Sequence, residues 1–360
     1  MSSEFGERVK VTIFGQSHGQ AIGVVIDGLP AGEAIDEEEL YAFMSRRRPG
    51  KNRLSTQRSE SDIPRFISGV EGGLTCGAPL CAGIENKDMR SRDYETLKNI
   101  PRPGHADFTA YEKWGGMADM RGGGHFSGRL TAPLCVAGGI AKQILGRRGI
   151  YIGAHLLSVG GETDESFPLY PENALFETIA KKDFPVISDE AGERMKAVIT
   201  KAADEQDSVG GVIECAVTGM EAGFGSPMFG TVEGRLSYAL FGVPAVKGVE
   251  FGAGFRAAAM RGSENNDPFA VDEGGRVKCE KNDAGGILGG ITNGMPVLFR
   301  AAIKPTPSIA RAQRSVDLKI KTSEILNITG RHDPCIAHRA VPVIEAAAAV
   351  VILNLLLEGK

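Results

Sequence analysis

Four of the six histidines lie in short loops that are rich in glycine or proline. They are His18 in GQSHG, His105 in RPGHAD, His125 in GGGHFSG and His332 in GRHDPC. Imidazole is the side chain best suited to exchange protons near neutral pH, so four such loops favour a site that moves protons. Each loop histidine, taken alone, is equally consistent with a surface or capping residue. His155 instead follows the alternation of a strand in YIGAHLLSV, which indicates a structural role.

Arginines gather in the same parts of the chain. The basic run SRRRPGKNRLSTQRSESD contains Arg46, Arg47, Arg48, Arg53 and Arg58, and later loops add Arg102, Arg121, Arg129 and Arg331. Two or three guanidinium groups around one phosphate form forked hydrogen bonds, each with roughly 4 kcal/mol of Coulomb attraction at about 4 Å and an effective dielectric of about 20. We therefore interpret the run as the wall of an anion-binding pocket. A solvated helix end and a nucleic-acid-binding patch are the alternatives.

Two segments combine glycine-rich backbone with polar side chains. RGGGHFSGR has three consecutive glycines before His125, which permits close approach of the backbone to a ligand. KPTPSIA carries Lys304, Thr306 and Ser308 just after the glycine-rich GGILGGITNG, and these groups could hold the phosphate of a nucleotide cofactor. Taken alone, KPTPSIA is an ordinary rigid turn. The Rossmann, P-loop and HExxH templates do not match, and no metal site is predicted.

Composition and charge restrict the class of protein. The chain has 360 residues, of which 42% are hydrophobic and 24% charged, as is typical of globular proteins that bury a large core. Its net charge of −4 argues against a general nucleic-acid binder. Six cysteines without CxxC spacing, and a start without signal-peptide layout, predict a cytoplasmic location. The apolar stretch AAAAVVILNLLL falls short of the roughly 20 residues of a bilayer span and predicts a buried helix.

Hydrophobic periodicity predicts alternating strands and helices along the chain. Strands are expected within 9–30, 65–70, 77–86, 151–161, 209–220 and 285–305. Helices are expected within 36–48, 129–149, 189–205 and 338–358, a helix followed by a strand within 234–255, and mostly loop with a short helix within 87–97. Because no linker divides the chain, the expected fold class is α/β of the α+β type, with one domain over 1–360 and antiparallel sheets around buried helices.

Eight segments, taken in order, resemble the motif series of the chorismate synthase family. They are FGQSHG, RRRPGKNRLSTQRSESD, RPGHADFTAYEKWG, RGGGHFSGRLTA, PAVKGVEFGAGF, NDAGGILGGITNG, KPTPSI and GRHDPCIAHRAVPVIEA. The similarity runs from Phe14 to about Leu357, and its motifs are long and specific. The resemblance implies a single sandwich domain, with helices between two antiparallel sheets, that assembles as a homotetramer.

The resemblance also implies a reaction. Members of the family carry out the last step of the shikimate pathway, which leads to aromatic amino acids: 5-enolpyruvylshikimate 3-phosphate loses phosphate and a ring proton in a 1,4-anti elimination, giving chorismate. Reduced FMN is required although no net oxidation occurs, and NADPH is expected only indirectly, as a source of reducing equivalents. The expected partner is thus a small-molecule substrate, without nucleic acid or membrane. The arginines suit a trianionic substrate, the KPTPS segment a flavin phosphate, and the loop histidines reversible proton transfer.

Roles at the site carry over by position. His18 resembles the histidine that protonates the reduced flavin, His105 the one facing the leaving side of the substrate, and Asp333 the carboxylate near flavin N5. The positions that match substrate-binding arginines are Arg47, Arg53, Arg102 and Arg129, of which the family also links Arg47 and Arg53 to a dinucleotide phosphate. The positions that match FMN contacts are His125, Phe126, Ser127, Gly289, Lys304, Pro305, Thr306, Pro307, Ser308 and Arg331.

Two segments depart from the family pattern. Gln16 stands where many members have a glutamate before Ser-His-Gly, and HFS stands at 125–127 where many have Arg-Ser-Ser. An imidazole replaces a guanidinium only imperfectly, so we interpret His125 as a cofactor contact and assign the proton chemistry to His18 and His105. The rival hypotheses are a non-catalytic protein that binds phosphometabolites or RNA, and a flavin oxidoreductase with net redox turnover.

Overall fold

Two five-stranded antiparallel sheets form the outer layers of the molecule. The computed structural model describes residues 3–48, 62–86, 99–328 and 333–360. Its strands are β1 (Glu4–Phe5), β2 (Lys10–Gly15), β3 (Ala21–Asp27), β4 (Arg65–Ser68), β5 (Val70–Glu71), β6 (Leu74–Thr75), β7 (Leu80–Glu85), β8 (Tyr151–Val159), β9 (Glu162–Thr163), β10 (Gly211–Thr218), β11 (Val246–Phe251), β12 (Phe269–Val271), β13 (Val277–Cys279), β14 (Ile287–Leu288), β15 (Ile291–Thr292), β16 (Val297–Ile303), β17 (Gln313–Asp317) and β18 (Thr322–Leu326). The first sheet has the order β1-β2-β3-β7-β4 and the second the order β11-β16-β10-β8-β9, and the remaining strands form two-stranded hairpins.

Helices fill the space between the sheets and cover their edges. They are α1 (Glu37–Ser45), α2 (Asp107–Trp114), α3 (Thr131–Gly146), α4 (Asn173–Ala180), α5 (Asp189–Asp204), α6 (Val232–Phe241), α7 (Gly262–Asn265) and α8 (Ala337–Glu358). The helix α3 packs on the first sheet and on α8, and α8 packs on the second sheet. The two helices approach so closely that a Cβ added at Gly138 would lie 2.2 Å from the Cα of Ala346. Glycine is therefore required at that crossing.

The core helix α8 carries the apolar C-terminal stretch. By length and composition its 22 residues would suffice to cross a membrane, but 83% of its most apolar window is buried inside the molecule, as in the core helix of a globular protein. Its polar interruption, Asn354, accepts hydrogen bonds from the backbone N–H groups of Glu7, Arg8 and Val9 at 3.1, 2.9 and 2.9 Å. Asn354 thus ties the turn before β2 to the core.

Local sequence explains where α1 begins and ends. Asp36 caps its start by accepting a hydrogen bond from the backbone N–H of Glu39 at 2.9 Å. Acidic residues at 37–39 occupy the first turn, where the helix dipole favours negative charge. The helix ends at Ser45, and Arg46 follows it as the C-cap. The basic run therefore leaves the helix at its first arginine.

The predicted fold class is confirmed, because buried helices lie between antiparallel sheets. The predicted helices within 36–48, 129–149, 189–205 and 338–358 correspond to α1, α3, α5 and α8. The sequence pattern does not predict α2, because it buries only Asp107 and Ala110 and so has no apolar stripe. The expectation for 87–97 lies outside the described residues, and the single domain over 1–360 stays a prediction.

Candidate active site

Three glycines at 122–124 form a tight turn between α2 and α3. Their φ angles are +61°, +89° and +55°, in the left-handed region that favours glycine. A Cβ added at Gly122 would lie 2.1 Å from Nδ1 of His18, and one added at Gly123 would lie 3.2 Å from Nε2 of His105. The turn therefore brings both histidines that the sequence assigns to proton chemistry against one stretch of bare backbone.

His18 is buried in the loop between β2 and β3. Asn86, just after β7, holds this loop, because its side-chain amide donates to the carbonyl oxygen of Gln16 at 3.0 Å and to a second carbonyl of the loop at 2.8 Å. The N–H of Ser17 donates to the carbonyl oxygen of Gly124 at 3.1 Å. The loop is thus fixed to the first sheet and to the glycine turn at once.

A buried carboxylate holds His105. Nδ1 of His105 lies 2.7 Å from Oδ1 of Asp107. Arg102 donates to both oxygens of the same carboxylate, with Nε 2.7 Å from Oδ2 and Nη2 2.8 Å from Oδ1. Burial raises the pKa of Asp107, but the hydrogen bonds from Arg102 and His105 outweigh it and hold that pKa far below its usual range. Asp107 is therefore ionised at neutral pH.

Arg47 and Arg129 share another buried carboxylate, that of Asp62. Nη2 of Arg47 and Nη1 of Arg129 donate to different oxygens of Asp62, whose side chain is 0% exposed. Burial raises the pKa of Asp62, but the two guanidinium groups outweigh it and lower that pKa. The two arginines and the one carboxylate together carry a net charge of about +1, which favours binding of an anionic ligand.

Asn86 joins this arginine pair to the loop of His18. Its Oδ1 accepts a hydrogen bond from Nε of Arg129 at 3.1 Å, while its amide nitrogen holds the histidine loop. Arg129 lies in the short helical turn Gly128–Leu130 just before α3. Ser127 caps that turn, because its Oγ accepts a hydrogen bond from the N–H of Arg129 at 3.3 Å.

Residues of α8 contact the segment that carries Arg47. Nη1 of Arg339 donates to Oδ2 of Asp333 at 2.8 Å, and its Nε donates to the backbone oxygen of Arg47 at 3.0 Å. Arg46, the neighbour of Arg47, pairs with the buried Glu345 at 2.6 Å. Asp333 is therefore linked to the arginine cluster through Arg339, and α8 fixes the chain around Arg47.

The KPTPS segment lies beside the loop that carries Arg102. Nη1 of Arg102 donates to Oγ of Ser308 at 3.3 Å, and Nζ of Lys304 donates to the backbone oxygen of Gly104. A Cβ added at Gly104 would lie 3.5 Å from Cβ of Pro307, which is ordinary contact. The predicted phosphate segment and a predicted substrate-binding arginine are thus adjacent.

The same segment fits the phosphate of a flavin nucleotide. Burial and the charge of the nearby Lys247 lower the pKa of Lys304, so a bound anion would relieve an excess of positive charge. Oγ1 of Thr306 is buried and has no hydrogen-bond partner within the part of the chain that the structure describes. Pro305 and Pro307 restrict the backbone around it. A rigid turn that carries Lys304 and the hydroxyl of Thr306, with Lys247 nearby, is suited to bind a phosphate group.

His125 and Phe126 take positions outside this cluster. His125 is exposed, with Nδ1 2.8 Å from the backbone oxygen of Gly15 and Nε2 2.9 Å from Oγ of Ser3. The ring of Phe126 packs on Trp114, with 5.7 Å between the centroids. Both nitrogens of His125 thus contact the N-terminal part of the chain, and its role as a cofactor contact stays a prediction.

Gly289 lies in the turn between β14 and β15, with a φ of +61° and nothing within 4 Å of an added Cβ. The FMN contact of Gly289 stays a prediction. Arg53, Arg331 and His332 lie outside the described residues.

A cavity of about 430 Å³ opens beside the loop of His105. Its lining comes from the loop before α2, the start of α2 and strand β17: Pro101, Arg102, Pro103, Gly104, His105, Phe108, Thr109, Arg314, Ser315 and Val316. Arg314 is exposed on β17, whereas Arg102 is buried. The cavity therefore gives His105 and Arg102 access to the surface.

Sequence reasoning assigns no role to several polar residues that hold the site together. Asp107 carries a local signal, because it follows His105 by two residues in RPGHAD. Asn86 and Arg339 carry no such signal, since they contact residues 43 and 292 positions away. Contacts of this kind depend on the packing of the sheets and helices and are not visible in a local motif.

Comparison with known proteins identifies the family of this chain. The family model described as chorismate synthase matches residues 9–357. A chorismate synthase of Lancefieldella parvula is 46% identical over 369 aligned positions, which cover 99% of this chain and 96% of that protein. A chorismate synthase of Korarchaeum cryptofilum is 45% identical, with coverage of 97% and 96%.

A solved structure shares the fold. A crystal structure of chorismate synthase matches with a TM-score of 0.78 at 28% identity, and the match covers 98% of this chain and 93% of that one. The chain belongs to the chorismate synthase family.

Proposed function

We propose that this chain, a lyase by its family, removes phosphate and a ring proton from 5-enolpyruvylshikimate 3-phosphate by 1,4-anti elimination and releases chorismate. One observation carries the proposal: His18 and His105 lie against the same glycine turn, and arginines that share Asp62 lie next to it. The elimination requires both groups, because an anionic phosphate leaves while a proton is removed from the ring.

The arginines bind and orient the substrate. It carries one phosphate and two carboxylates, and guanidinium groups bind such anions through paired hydrogen bonds. Arg47 and Arg129 are held by Asp62, and Arg102 is held by Asp107. Because these side chains are ordered in advance, they lose little conformational entropy when the substrate binds. Arg53 completes the predicted set.

The histidines hold and move protons. Nε2 of His105 faces the glycine turn, and we assign to this nitrogen of the protonated ring the donation of a proton to the departing phosphate, which leaves the ring neutral. His18, buried beneath Gly122, keeps an exchangeable proton inside the site. Asp333, paired with Arg339, is the proposed carboxylate on the cofactor side.

The cofactor that we propose is reduced FMN. When bound, it supplies electron density to the substrate ring as the C–O bond breaks and recovers that density as the C–H bond breaks. Lys304, Thr306 and Ser308 would hold its phosphate. The reducing equivalents come from outside the chain, with NADPH only as an indirect source. We also propose that the protein is a cytoplasmic homotetramer that acts without nucleic acid or membrane.

An anaerobic assay tests the function. Purified protein is mixed with the substrate and chemically reduced FMN, and chorismate and flavin absorbance are followed together. Chorismate formed over many turnovers while the flavin stays reduced supports the elimination, and the absence of chorismate overturns it. Oxidation of one flavin for each product would instead indicate an oxidoreductase. Retention on RNA that weakens with salt, without any change in flavin absorbance, would favour the non-catalytic alternative.

A further inference from the structure

The carboxylate of Asp107 joins two groups of the proposed site. Its Oδ1 lies 2.7 Å from Nδ1 of His105 and 2.8 Å from Nη2 of Arg102. Its Oδ2 accepts hydrogen bonds from Nε and from the backbone N–H of Arg102, at 2.7 and 3.0 Å. These donors all belong to the short loop that leads into α2. Asp107 thus has four hydrogen-bond donors around it and is only 9% exposed.

This arrangement decides which nitrogen of His105 carries the proton. An ionised carboxylate can only accept hydrogen bonds, so Nδ1 must be the protonated nitrogen. In the neutral ring, Nε2 is then the bare nitrogen, and Nε2 is the atom that faces Gly123. Nη2 of Arg102 lies 3.1 Å from Nδ1 and 3.5 Å from Nε2. Nη2 already donates to Oδ1 of Asp107 at 2.8 Å, and the contact between Nδ1 and the ionised Oδ1 is shorter, at 2.7 Å, so the proton is assigned to Nδ1.

We infer that Asp107 is a positioning residue for His105: it fixes the ring orientation and the tautomer that presents Nε2 to the reacting groups. The inference rests on the proposed function, in which Nε2 transfers a proton at the departing phosphate. Since the same carboxylate holds Arg102, it also keeps a substrate-binding guanidinium and the proton-transfer group at a constant separation.

The contacts around Asp107 predict that Asp107→Asn changes the tautomer of His105. The amide oxygen is expected at the place of Oδ2, where two N–H groups of Arg102 converge. The amide NH₂ then occupies the place of Oδ1 and donates to Nδ1 of His105, which moves the ring proton to Nε2. In the wild type the ring takes up a proton at Nε2, donates it to the departing phosphate and returns to the neutral form with Nδ1–H. The variant ring already carries its only proton on Nε2, and release of that proton would leave an imidazolate, so the donation is blocked.

The matched control is Asp189→Asn. Asp189 is the first residue of α5, just as Asp107 is the first residue of α2. It also pairs with a cation, Lys182, at 2.7 Å, but its side chain is 81% exposed. The control removes a carboxylate from a helix start without touching the site, so tautomer and turnover should stay as in the wild type.

Nitrogen NMR on protein with ¹⁵N-labelled histidine, without flavin or substrate, reads the tautomer directly. At a pH where the ring is neutral, we expect a protonated Nδ1 and a bare Nε2 for His105 in the wild type, and the reverse in Asp107→Asn. His105→Gln assigns the signal. A wild-type His105 ring with its proton on Nε2 overturns the inference. Because this measurement uses the wild-type protein, it does not depend on whether the variant folds.

Kinetics supply the second measurement. Asp107→Asn should lower kcat by about 10²- to 10⁴-fold, as expected when a general acid–base group is disabled. Asp107→Glu retains the carboxylate and should therefore have a higher kcat than Asp107→Asn. The flavin Kd should stay within about twofold of the wild type. A folded Asp107→Asn protein with wild-type kcat or an unchanged tautomer overturns the inference. Failure of the proposed function is different: the wild type then forms no chorismate, although the tautomer change is still observed.

Discussion

His18 lies directly beneath Gly122, so that a Cβ added to the glycine would be 2.1 Å from both Nδ1 and Cε1 of the imidazole. Real Cβ atoms do not approach other atoms so closely, and the hydrogen bond between Ser17 and Gly124 holds the two segments together. His18 can therefore occupy this position only because residue 122 is a glycine.

Gly122→Ala should displace His18 and lower kcat by roughly tenfold or more, because the ring has to leave its position. Gly115→Ala is the matched control: Gly115 has a φ of +57° and an added Cβ meets nothing within 4 Å. Both substitutions carry backbone strain of about 1–2 kcal/mol, and only one carries the collision. Equal kcat values for the two variants in the anaerobic assay would contradict this account.

Asp62→Asn should leave Arg47 and Arg129 without their shared counter-ion. Removing one partner of a buried ion pair costs about 3–5 kcal/mol, so the free energy of unfolding in urea should fall by that order. KM for the substrate should rise more than kcat falls, because the arginines lose their alignment. Asp207→Asn is the control, since its pair with Arg311 is largely exposed and should contribute less than about 1 kcal/mol. A loss no larger than that of the control would show that Asp62 does not order the arginines.

His338 should make stability depend on pH. Burial, together with the charge of Arg339, lowers the pKa of His338 to about 4, whereas an unfolded chain titrates near 6.5. As the pH falls, the unfolded chain binds the proton first. The stability present above about pH 6.5 is therefore lost as the pH approaches 4, by up to about 3 kcal/mol. Urea unfolding of the wild type and of His338→Gln at about pH 7.5 and 4.5 checks this, and equal pH dependence in both proteins would refute it.

His125→Arg should alter flavin affinity while turnover at saturating flavin is largely kept. The ring nitrogens of His125 contact Gly15 and Ser3, away from His18 and His105. Flavin Kd from a fluorescence titration and kcat from the anaerobic assay separate the two effects. A fall in kcat of more than about tenfold at saturating flavin would instead place His125 among the proton-transfer groups.

The sequence predicts the elements that have a local signature. The amphipathic α5 and the largely apolar α3 and α8 could be predicted, because the spacing of residues within a helix sets which of its faces are apolar. The glycine-rich loops likewise predict that His18 and His105 belong to a site. Asn354 is visible as a break in an apolar run, but its backbone partners at 7–9 are not.

Pairings across the fold could not be predicted in this way. Asp62 contacts Arg47 and Arg129, which are 15 and 67 positions away, and the pairing depends on how the first sheet meets α3. Strand β16 lies between Gly289 and Lys304 in the chain, so closeness in sequence does not by itself place them at one site. The topology of the sheets decides which residues meet.

The most direct test of the central claim is the rate of chorismate formation under anaerobic conditions, with reduced FMN, in the wild type and in His18→Ala and His105→Ala. Both variants should fold and turn over roughly 10- to 10⁴-fold more slowly than the wild type, because each lacks a group that holds or moves a proton at the glycine turn. Wild-type turnover in either variant would remove that histidine from the mechanism and contradict the claim that the turn at 122–124 gathers the proton-transfer groups.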